Sequence, residues 1–95
     1  MTIYISGAIS SDPHYKKKFK KSEKKLRKYF DVINPAKVLG KLPKNTGYAT
    51  YMDLSLEMVK HSDLLYMLPD WTTSRGARLE YDKARELGIP MVFEK

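Results

Sequence analysis

Two hydrophobic patterns alternate along the chain, and they predict four strands separated by three helices. Short apolar runs bounded by glycine or proline indicate strands, and apolar positions that recur every three or four residues indicate amphipathic helices. The predicted strands are residues 2–6, 31–34, 63–68 and 89–93. The predicted helices are residues 13–30, 50–61 and 75–87. Residues 36–48 are rich in glycine, proline, lysine and asparagine, so we predict a mobile loop there.

Capping residues mark the ends of two of these helices. Ser11 and Asp12 are N-cap candidates for the first helix, with Pro13 in its first turn. Gly88 follows the last apolar position of the third helix and predicts its C-terminal end.

The order of the elements, βαβαβαβ, predicts one α/β domain over residues 1–95. Strands that alternate with helices form parallel sheets with right-handed crossovers, and the helices then cover both faces. The run from Asp63 to Leu68 is almost continuously apolar, which is typical of a central strand. We expect three layers around an open, four-stranded parallel sheet of flavodoxin or Rossmann-like type, with strand order 2-1-3-4.

Composition narrows the classes of protein. The chain has no cysteine, which excludes a disulfide framework, a thiolate metal site and a cysteine nucleophile. The N-terminus shows no basic region followed by a long apolar run, and no stretch approaches the roughly 18 apolar residues that span a bilayer. We therefore expect a soluble cytoplasmic protein that has no membrane partner.

The net charge of +7 is concentrated in one predicted helix. Residues 13–30 contain eight lysines and one arginine against one glutamate. Clustered lysines can neutralise nucleic-acid phosphates, although lysines around one apolar stripe are also typical of a solvated helix. A basic surface that binds nucleic acid or protein is therefore one alternative function.

Ligands of open parallel sheets bind beyond the carboxyl ends of the strands. The segments Gly7–Ser11 and Asp70–Gly76 follow two predicted strands, are polar, contain glycine and lead into helices. The N-terminus of a helix suits an anion such as phosphate. Strand-to-helix turns use the same residue types for capping, so this pattern leaves a binding role and a structural role open. Dinucleotide and triphosphate fingerprints are absent.

Two acidic residues lie in early turns of predicted helices near this edge of the sheet. Glu80 flanks the apolar stripe of the third helix, and Asp53 lies early in the second. Two carboxylates that converge on one cleft can divide nucleophilic and acid–base roles in glycosyl transfer. Spacing by itself favours solvated acids that complement the helix dipole. Asp70 is a secondary acidic candidate.

Several motifs along nearly the whole chain match a known superfamily. The most specific is Ser74-Arg75-Gly76-Ala77-Arg78-Leu79-Glu80, followed by Ala84 and Gly88-Ile89. The others are Ile3-Tyr4-Ile5-Ser6-Gly7, Asn34-Pro35, and Asp53-Leu54 ahead of Ser62-Asp63-Leu64-Leu65. Through these motifs the sequence resembles the nucleoside 2-deoxyribosyltransferase-like superfamily, especially its 2′-deoxynucleoside 5′-monophosphate N-glycosidase members. It looks closest to a short branch common in bacteriophage and bacterial genomes, which implies the host cytoplasm if the gene is a phage's.

The resemblance implies three catalytic residues. Glu80 matches the glutamate that attacks C1′ of the sugar and forms a covalent glycosyl-enzyme intermediate. Asp53 matches an acid that positions the sugar or assists the leaving base. Tyr4 matches a tyrosine that lines the pocket beside the nucleophile.

The resemblance also implies a second group of residues, which bind the substrate. The loop that begins at Gly7 is expected to approach the 5′ end of the nucleotide. Ser74 stands where members acting on free nucleosides carry aspartate and the monophosphate hydrolases carry serine, so it favours a 5′-monophosphate. A hydroxyl tolerates a phosphate dianion that a carboxylate would repel. Ser10, Gly76 and Asp70 complete the expected set.

The expected function is cleavage or exchange of the N-glycosidic bond of a (deoxy)nucleoside 5′-monophosphate, without a metal or organic cofactor. A nucleotide-binding module without catalysis, and a basic interaction protein that works through its first helix, are the alternatives. The base, and the choice between hydrolase and transferase, stay open. We expect a homodimer or larger homo-oligomer, because of the resemblance and because so short a chain has a small core.

Overall fold

The structure is a computed structural model that describes residues 1–95, and its centre is a four-stranded, all-parallel sheet. The strands are β1 (Thr2–Ser6), β2 (Asp31–Ile33), β3 (Leu64–Met67) and β4 (Met91–Phe93). The helices are α1 (Tyr15–Leu26), α2 (Pro35–Leu39), α3 (Tyr48–Lys60) and α4 (Arg75–Leu87). The strand order is β2-β1-β3-β4, which confirms the predicted order. None of the helices is long and apolar enough to cross a membrane.

Side chains of β1 alternate between two hydrophobic clusters, one on each face of the sheet. Ile3 packs in one cluster with Phe19 of α1. Tyr4 packs in the other with Val59 of α3 and Ala84 of α4. Successive residues of a strand point to opposite faces, so α1 and α2 cover one face while α3 and α4 cover the other. The predicted three-layer arrangement is confirmed.

Helix α1 is shorter than the sequence pattern predicts. It begins at Tyr15 rather than Pro13, and no side chain caps its N-terminus, so the prediction of Ser11 or Asp12 as N-cap is wrong. Asp12 instead accepts a hydrogen bond from the backbone N–H of His14 at 2.8 Å, which holds a turn ahead of the helix. The helix also ends about one turn before the predicted boundary, where the chain turns into β2.

The region predicted as a loop, residues 36–48, contains helix α2 at its start. Asn34 caps this helix, since its side chain accepts a hydrogen bond from the N–H of Lys37 at 3.4 Å. Pro35 occupies the first helical position, where its missing N–H costs nothing and its fixed φ favours the helix. The Asn-Pro pair was therefore a helix-start signal, and the loop proper is shorter than predicted.

Helix α4 has the predicted bounds. Ser74 caps its N-terminus by accepting a hydrogen bond from the N–H of Ala77 at 3.2 Å. Gly88 ends it with φ of 72°, a left-handed conformation that glycine adopts without strain. These two caps fix the ends of α4, and Glu80 lies in its second turn.

Gly7 ends β1 where the chain runs closest to Leu68. A Cβ atom at Gly7 would lie 2.7 Å from Cδ1 and 2.9 Å from Cβ of Leu68, whose side chain is buried. We expect Gly7→Ala to lower the free energy of unfolding by about 1–2 kcal/mol, because a packed core does not give way easily. The melting temperature should fall by roughly 5–10 °C.

Thermal and urea denaturation measure this loss. Gly47→Ala is the matched control, because no atom lies within 4 Å of the Cβ built there. The control should lower the melting temperature clearly less than Gly7→Ala, since its only cost is a weaker N-cap of α3. Equal effects of the two substitutions would contradict the close packing of Gly7.

Candidate functional site

Glu80 is an acidic side chain buried against the sheet, at the carboxyl end of β1. Only 6% of it is exposed. One carboxylate oxygen accepts a short hydrogen bond from the Tyr4 hydroxyl, and the other accepts one from the Ser6 hydroxyl at 2.6 Å. Tyr4 and Ser6 are two residues apart on one strand, so both side chains point to the face that α4 covers. Both oxygens of the buried carboxylate are thereby held in a defined orientation.

Burial raises the pKa of Glu80 to about 7, although the hydrogen bonds from Ser6 and Tyr4 act in the opposite direction. Burial, and next the charge of Glu80, raise the pKa of Tyr4 well above its ordinary value. The Tyr4 hydroxyl therefore keeps its proton and remains a donor. Near neutral pH, Glu80 is divided between its ionised and protonated forms, a state suited to nucleophilic or acid–base chemistry.

A cavity of about 230 Å³, which we call the Glu80 cavity, opens above this carboxylate. The loop after β1, helices α2 and α3, and the start of α4 form its walls. Six lining residues carry hydroxyl groups: Ser10, Tyr15, Tyr48, Tyr51, Ser55 and Ser74. Glu80 is the one acidic residue of the lining, and no basic residue contributes to it. The volume lies below the roughly 300–1,000 Å³ of drug-sized sites, so it suits a ligand the size of a sugar phosphate.

The N-terminus of α4 forms one wall of the cavity through Ser74, Gly76 and Ala77. The backbone N–H groups of Arg75 and Gly76 have no acceptor within the chain. Free N–H groups and the partial positive charge of a helix N-terminus favour an anion. A Cβ atom on Gly76 would lie 3.3 Å from the sulfur of Met52, so glycine keeps this wall thin.

Asp70 supports the rim of the cavity from outside the lining. One of its oxygens accepts a hydrogen bond from the N–H of Ala8 at 3.1 Å, and the other pairs with the Lys18 ammonium group. Lys18 also donates to the Ala8 carbonyl at 2.9 Å and to Asp12 at 2.8 Å. Although burial lowers it, hydrogen bonds to Asp12 and Asp70 raise the pKa of Lys18. Asp70 thus positions the loop after β1, in place of the expected contact with substrate.

Asp53 does not reach the site. It is exposed on α3 and takes no part in the lining. The residues of α3 that face the cavity recur at helical spacing and are Tyr48, Tyr51, Met52 and Ser55. Asp53 lies one position off this stripe and faces solvent. The two carboxylates therefore do not converge on one cleft as expected, and Glu80 alone lines the cavity.

The structure sorts the eight residues predicted for the site into three groups. Five line the cavity: Gly7, Ser10, Ser74, Gly76 and Glu80. Tyr4 lies behind the cavity and holds Glu80. Asp53 and Asp70 lie outside the lining. No three side chains of the metal-ligating types cluster in the chain.

Sequence reasoning overlooked the contribution of Ser6 and the tyrosine-rich stripe of α3. Two signals could have found them. Ser6 follows Tyr4 at strand period two, so the two share a face. Tyr48, Tyr51 and Ser55 follow the period of helix α3, which begins at Tyr48 rather than at the predicted residue 50.

The fold and the site together define a class of protein: an open parallel α/β sheet with a buried glutamate beneath a small cavity at its carboxyl edge. The chain belongs to the family described as "Domain of unknown function (DUF4406)", whose sequence profile matches residues 1–93. That range includes every residue of the Glu80 cavity. A comparison with curated proteins found no match.

Proposed function

We propose that this protein cleaves the N-glycosidic bond of a (deoxy)nucleoside 5′-monophosphate, or exchanges its base, with Glu80 as the nucleophile. The observation that carries the proposal is the buried Glu80 carboxylate, held by Tyr4 and Ser6 at the wall of a cavity of sugar-phosphate size. The motif that ends at Glu80 resembles the deoxyribosyltransferase-like superfamily and supplies the class of bond.

In the first step of the proposed reaction, ionised Glu80 attacks C1′ of the sugar. The bond from C1′ to the base nitrogen breaks, and the base leaves with the bonding electron pair. No second carboxylate lines the cavity, so the base takes its proton from water. A glycosyl ester of Glu80 remains.

In the second step, water or a new base attacks C1′ from the side that the first base has left. The ester bond breaks, Glu80 regains its electron pair, and the attacking group releases its proton to solvent. The hydroxyl groups of Tyr4 and Ser6 stabilise the carboxylate as it departs, since both donate to its oxygens. Two displacements at C1′ retain the configuration of the sugar.

The start of α4 holds the phosphate in this proposal. The free N–H groups of Arg75 and Gly76 and the hydroxyl group of Ser74 provide donors without a carboxylate nearby other than Glu80. Such an arrangement accepts a phosphate dianion and leaves the sugar over Glu80.

Ser74→Asp tests the phosphate site separately from the fold. Aspartate caps helices as well as serine does, so the melting temperature should stay the same or rise. The added negative charge should weaken the binding of a nucleoside 5′-monophosphate by about tenfold or more and spare the free nucleoside. Calorimetric titration of both ligands measures the shift, with Ser74→Ala as the uncharged control. A parallel loss for both ligands would place the phosphate elsewhere.

The proposed reaction is tested by base release. The purified protein is incubated with 2′-deoxynucleoside 5′-monophosphates of each base, with the free nucleosides and with ribonucleotides, and liberated bases are separated by chromatography. We expect release from at least one monophosphate and little from its nucleoside. No release from any compound, and no exchange when a second base is added, would contradict the proposal.

A nucleotide-binding module without turnover is the second candidate, and the exposure of Asp53 favours it, since the cavity then lacks a second acid. In that case, nucleoside monophosphates raise the melting temperature but stay intact. The same ligand panel separates the two functions.

A further inference from the structure

A second cleft, of about 370 Å³, lies between α1 and α2 beside the Glu80 cavity. Half of its eight lining residues are lysines, namely Lys16, Lys20, Lys37 and Lys41, and we call it the lysine cleft. The two lysines from α1 are four residues apart, as are the two from α2 and its C-terminal turn, so each pair projects from one side of its helix. The four lysines therefore line a shared space from two sides.

None of these four charges takes part in a salt bridge within the chain, since none of the four lysines lies within 4 Å of an acidic oxygen. The cleft does contain Glu23, but Arg27 pairs with it at 2.6 Å and Asn34 donates to it at 3.2 Å. Burial raises the pKa of Glu23, yet the hydrogen bonds from Arg27 and Asn34, together with the charges of Arg27 and Lys37, hold it below its ordinary value. The carboxylate is thus already neutralised, and the cleft attracts a polyanion.

The lysine cleft and the Glu80 cavity meet over a low ridge of α2. Ala36 and Gly40, one helical turn apart, line both spaces and carry almost no side chain. On the α1 side, the Lys16 ammonium group lies 6.0 Å from the centre of the Tyr15 ring, and Tyr15 lines the Glu80 cavity. A ligand can therefore occupy both spaces without crossing a bulky side chain.

The extent of the positive charge favours a strand over a small anion. On α1, the lysine row continues from Lys16 and Lys20 to Lys24, a length of about 12 Å, which covers several phosphates of one strand. Tyrosine rings line the neighbouring cavity at Tyr48 and Tyr51. A positively charged groove beside aromatic rings is the arrangement by which proteins bind single-stranded nucleic acid.

We infer that the lysine cleft binds the backbone phosphates of a single-stranded oligonucleotide, whose adjoining end nucleotide enters the Glu80 cavity. Binding by the cleft requires no chemistry at Glu80. The placement of the end nucleotide as a substrate rests on the proposed function, and it widens the substrate class from free nucleotides to the ends of strands.

The inference is tested by fluorescence anisotropy, which measures the Kd of a labelled oligothymidylate of eight nucleotides at several salt concentrations. The cleft variant carries Lys16→Gln, Lys20→Gln, Lys37→Gln and Lys41→Gln. The matched control loses the same charge on other elements through Lys60→Gln, Arg78→Gln, Lys83→Gln and Lys95→Gln. We expect the cleft variant to bind at least tenfold more weakly and the control to change less than threefold. The slope of log Kd against log salt should fall by about 3 in the cleft variant alone, at about 0.7 for each phosphate contact.

Equal losses in the two variants would show unspecific attraction to a basic protein and overturn the inference. Displacement of the strand by inorganic tripolyphosphate below the strand's own Kd would also overturn it, because the cleft would then be a site for small polyphosphates. Thermal melting checks that both variants fold. The pair Lys16→Gln and Lys37→Gln, against Lys60→Gln and Lys83→Gln, repeats the comparison with half the change in charge.

Base release from free nucleotides, measured beside strand binding on the same lysine variants, keeps this inference apart from the proposed reaction. If no base is released from any nucleotide but the cleft variant still loses the strand, the proposed reaction fails and the cleft assignment stands. If base release occurs but the two lysine variants behave alike, the proposed reaction stands and the cleft assignment fails.

Discussion

Glu80→Gln reduces base release by at least about a thousandfold, while the Kd for the nucleotide stays within a few-fold. An amide nitrogen or oxygen cannot form the glycosyl ester, so the loss falls on the chemical step. Glutamine has the shape of glutamate and can still accept from one of the two hydroxyl groups, Tyr4 or Ser6, and donate to the other. Single-turnover rates and equilibrium binding, measured at pH 7.5, separate the two effects.

Asp53→Asn is the matched control for this substitution. It changes a carboxylate to an amide in the neighbouring helix, on a side chain that faces solvent away from the Glu80 cavity. We expect its rate to stay within about twofold of the unaltered protein. A rate lost in Asp53→Asn, or kept in Glu80→Gln, would show that the reaction uses a site other than the one described.

The second large effect is a loss of folding stability as Glu80 ionises, which is complete above neutral pH. The pKa of Glu80 in the folded protein is about 7, against an ordinary value of 4.5. The folded state therefore binds this proton more tightly, and its stabilising effect is complete below pH 4.5. As the pH rises from 4.5 through 7, that stabilisation is lost, at up to about 1.4 kcal/mol for each pH unit. The total loss is about 3 kcal/mol.

Glu80→Gln removes this titration. The variant should be more stable than the unaltered protein by about 3 kcal/mol at pH 8.5, and the difference should shrink to about 1 kcal/mol or less near pH 4.5. Urea denaturation at four pH values across this range measures the difference, and the subtraction cancels the other titrating groups. Asp53→Asn, an exposed change of the same kind, should show no such trend. A difference that stays constant with pH would mean that Glu80 is ionised in the folded protein throughout.

The same ionisation links stability to the proposed chemistry. The nucleophilic form of Glu80 is the carboxylate, which is also the form that burial destabilises. Base release should therefore rise as the pH passes through about 7, after the fold has lost stability between pH 4.5 and 7. A carboxylate of this kind, costly to the fold and placed at a cavity, is typical of functional sites.

Much of the fold could be predicted because each helix and strand depends on close neighbours in the sequence. The near-continuous apolar run before Pro69 identified the central strand β3. The Ser74 cap and the Gly88 end set the bounds of α4. Helix α2 was missed because glycine, proline and lysine nearby outweighed the Asn-Pro start signal.

The sequence by itself determined the alternation of strands and helices, the basic first helix and the motif that ends at Glu80. Only the tertiary structure decided which acid is buried, because the rotation of a helix is set by what it packs against. Glu80 meets hydroxyl groups 76 and 74 residues away along the chain, at Tyr4 and Ser6. Asp53, with an equally plausible spacing, faces solvent instead, because the packing of Val59 turns the Ser55 side of α3 inward. Local periodicity carries no information about such distant partners, and the candidate site is made of them.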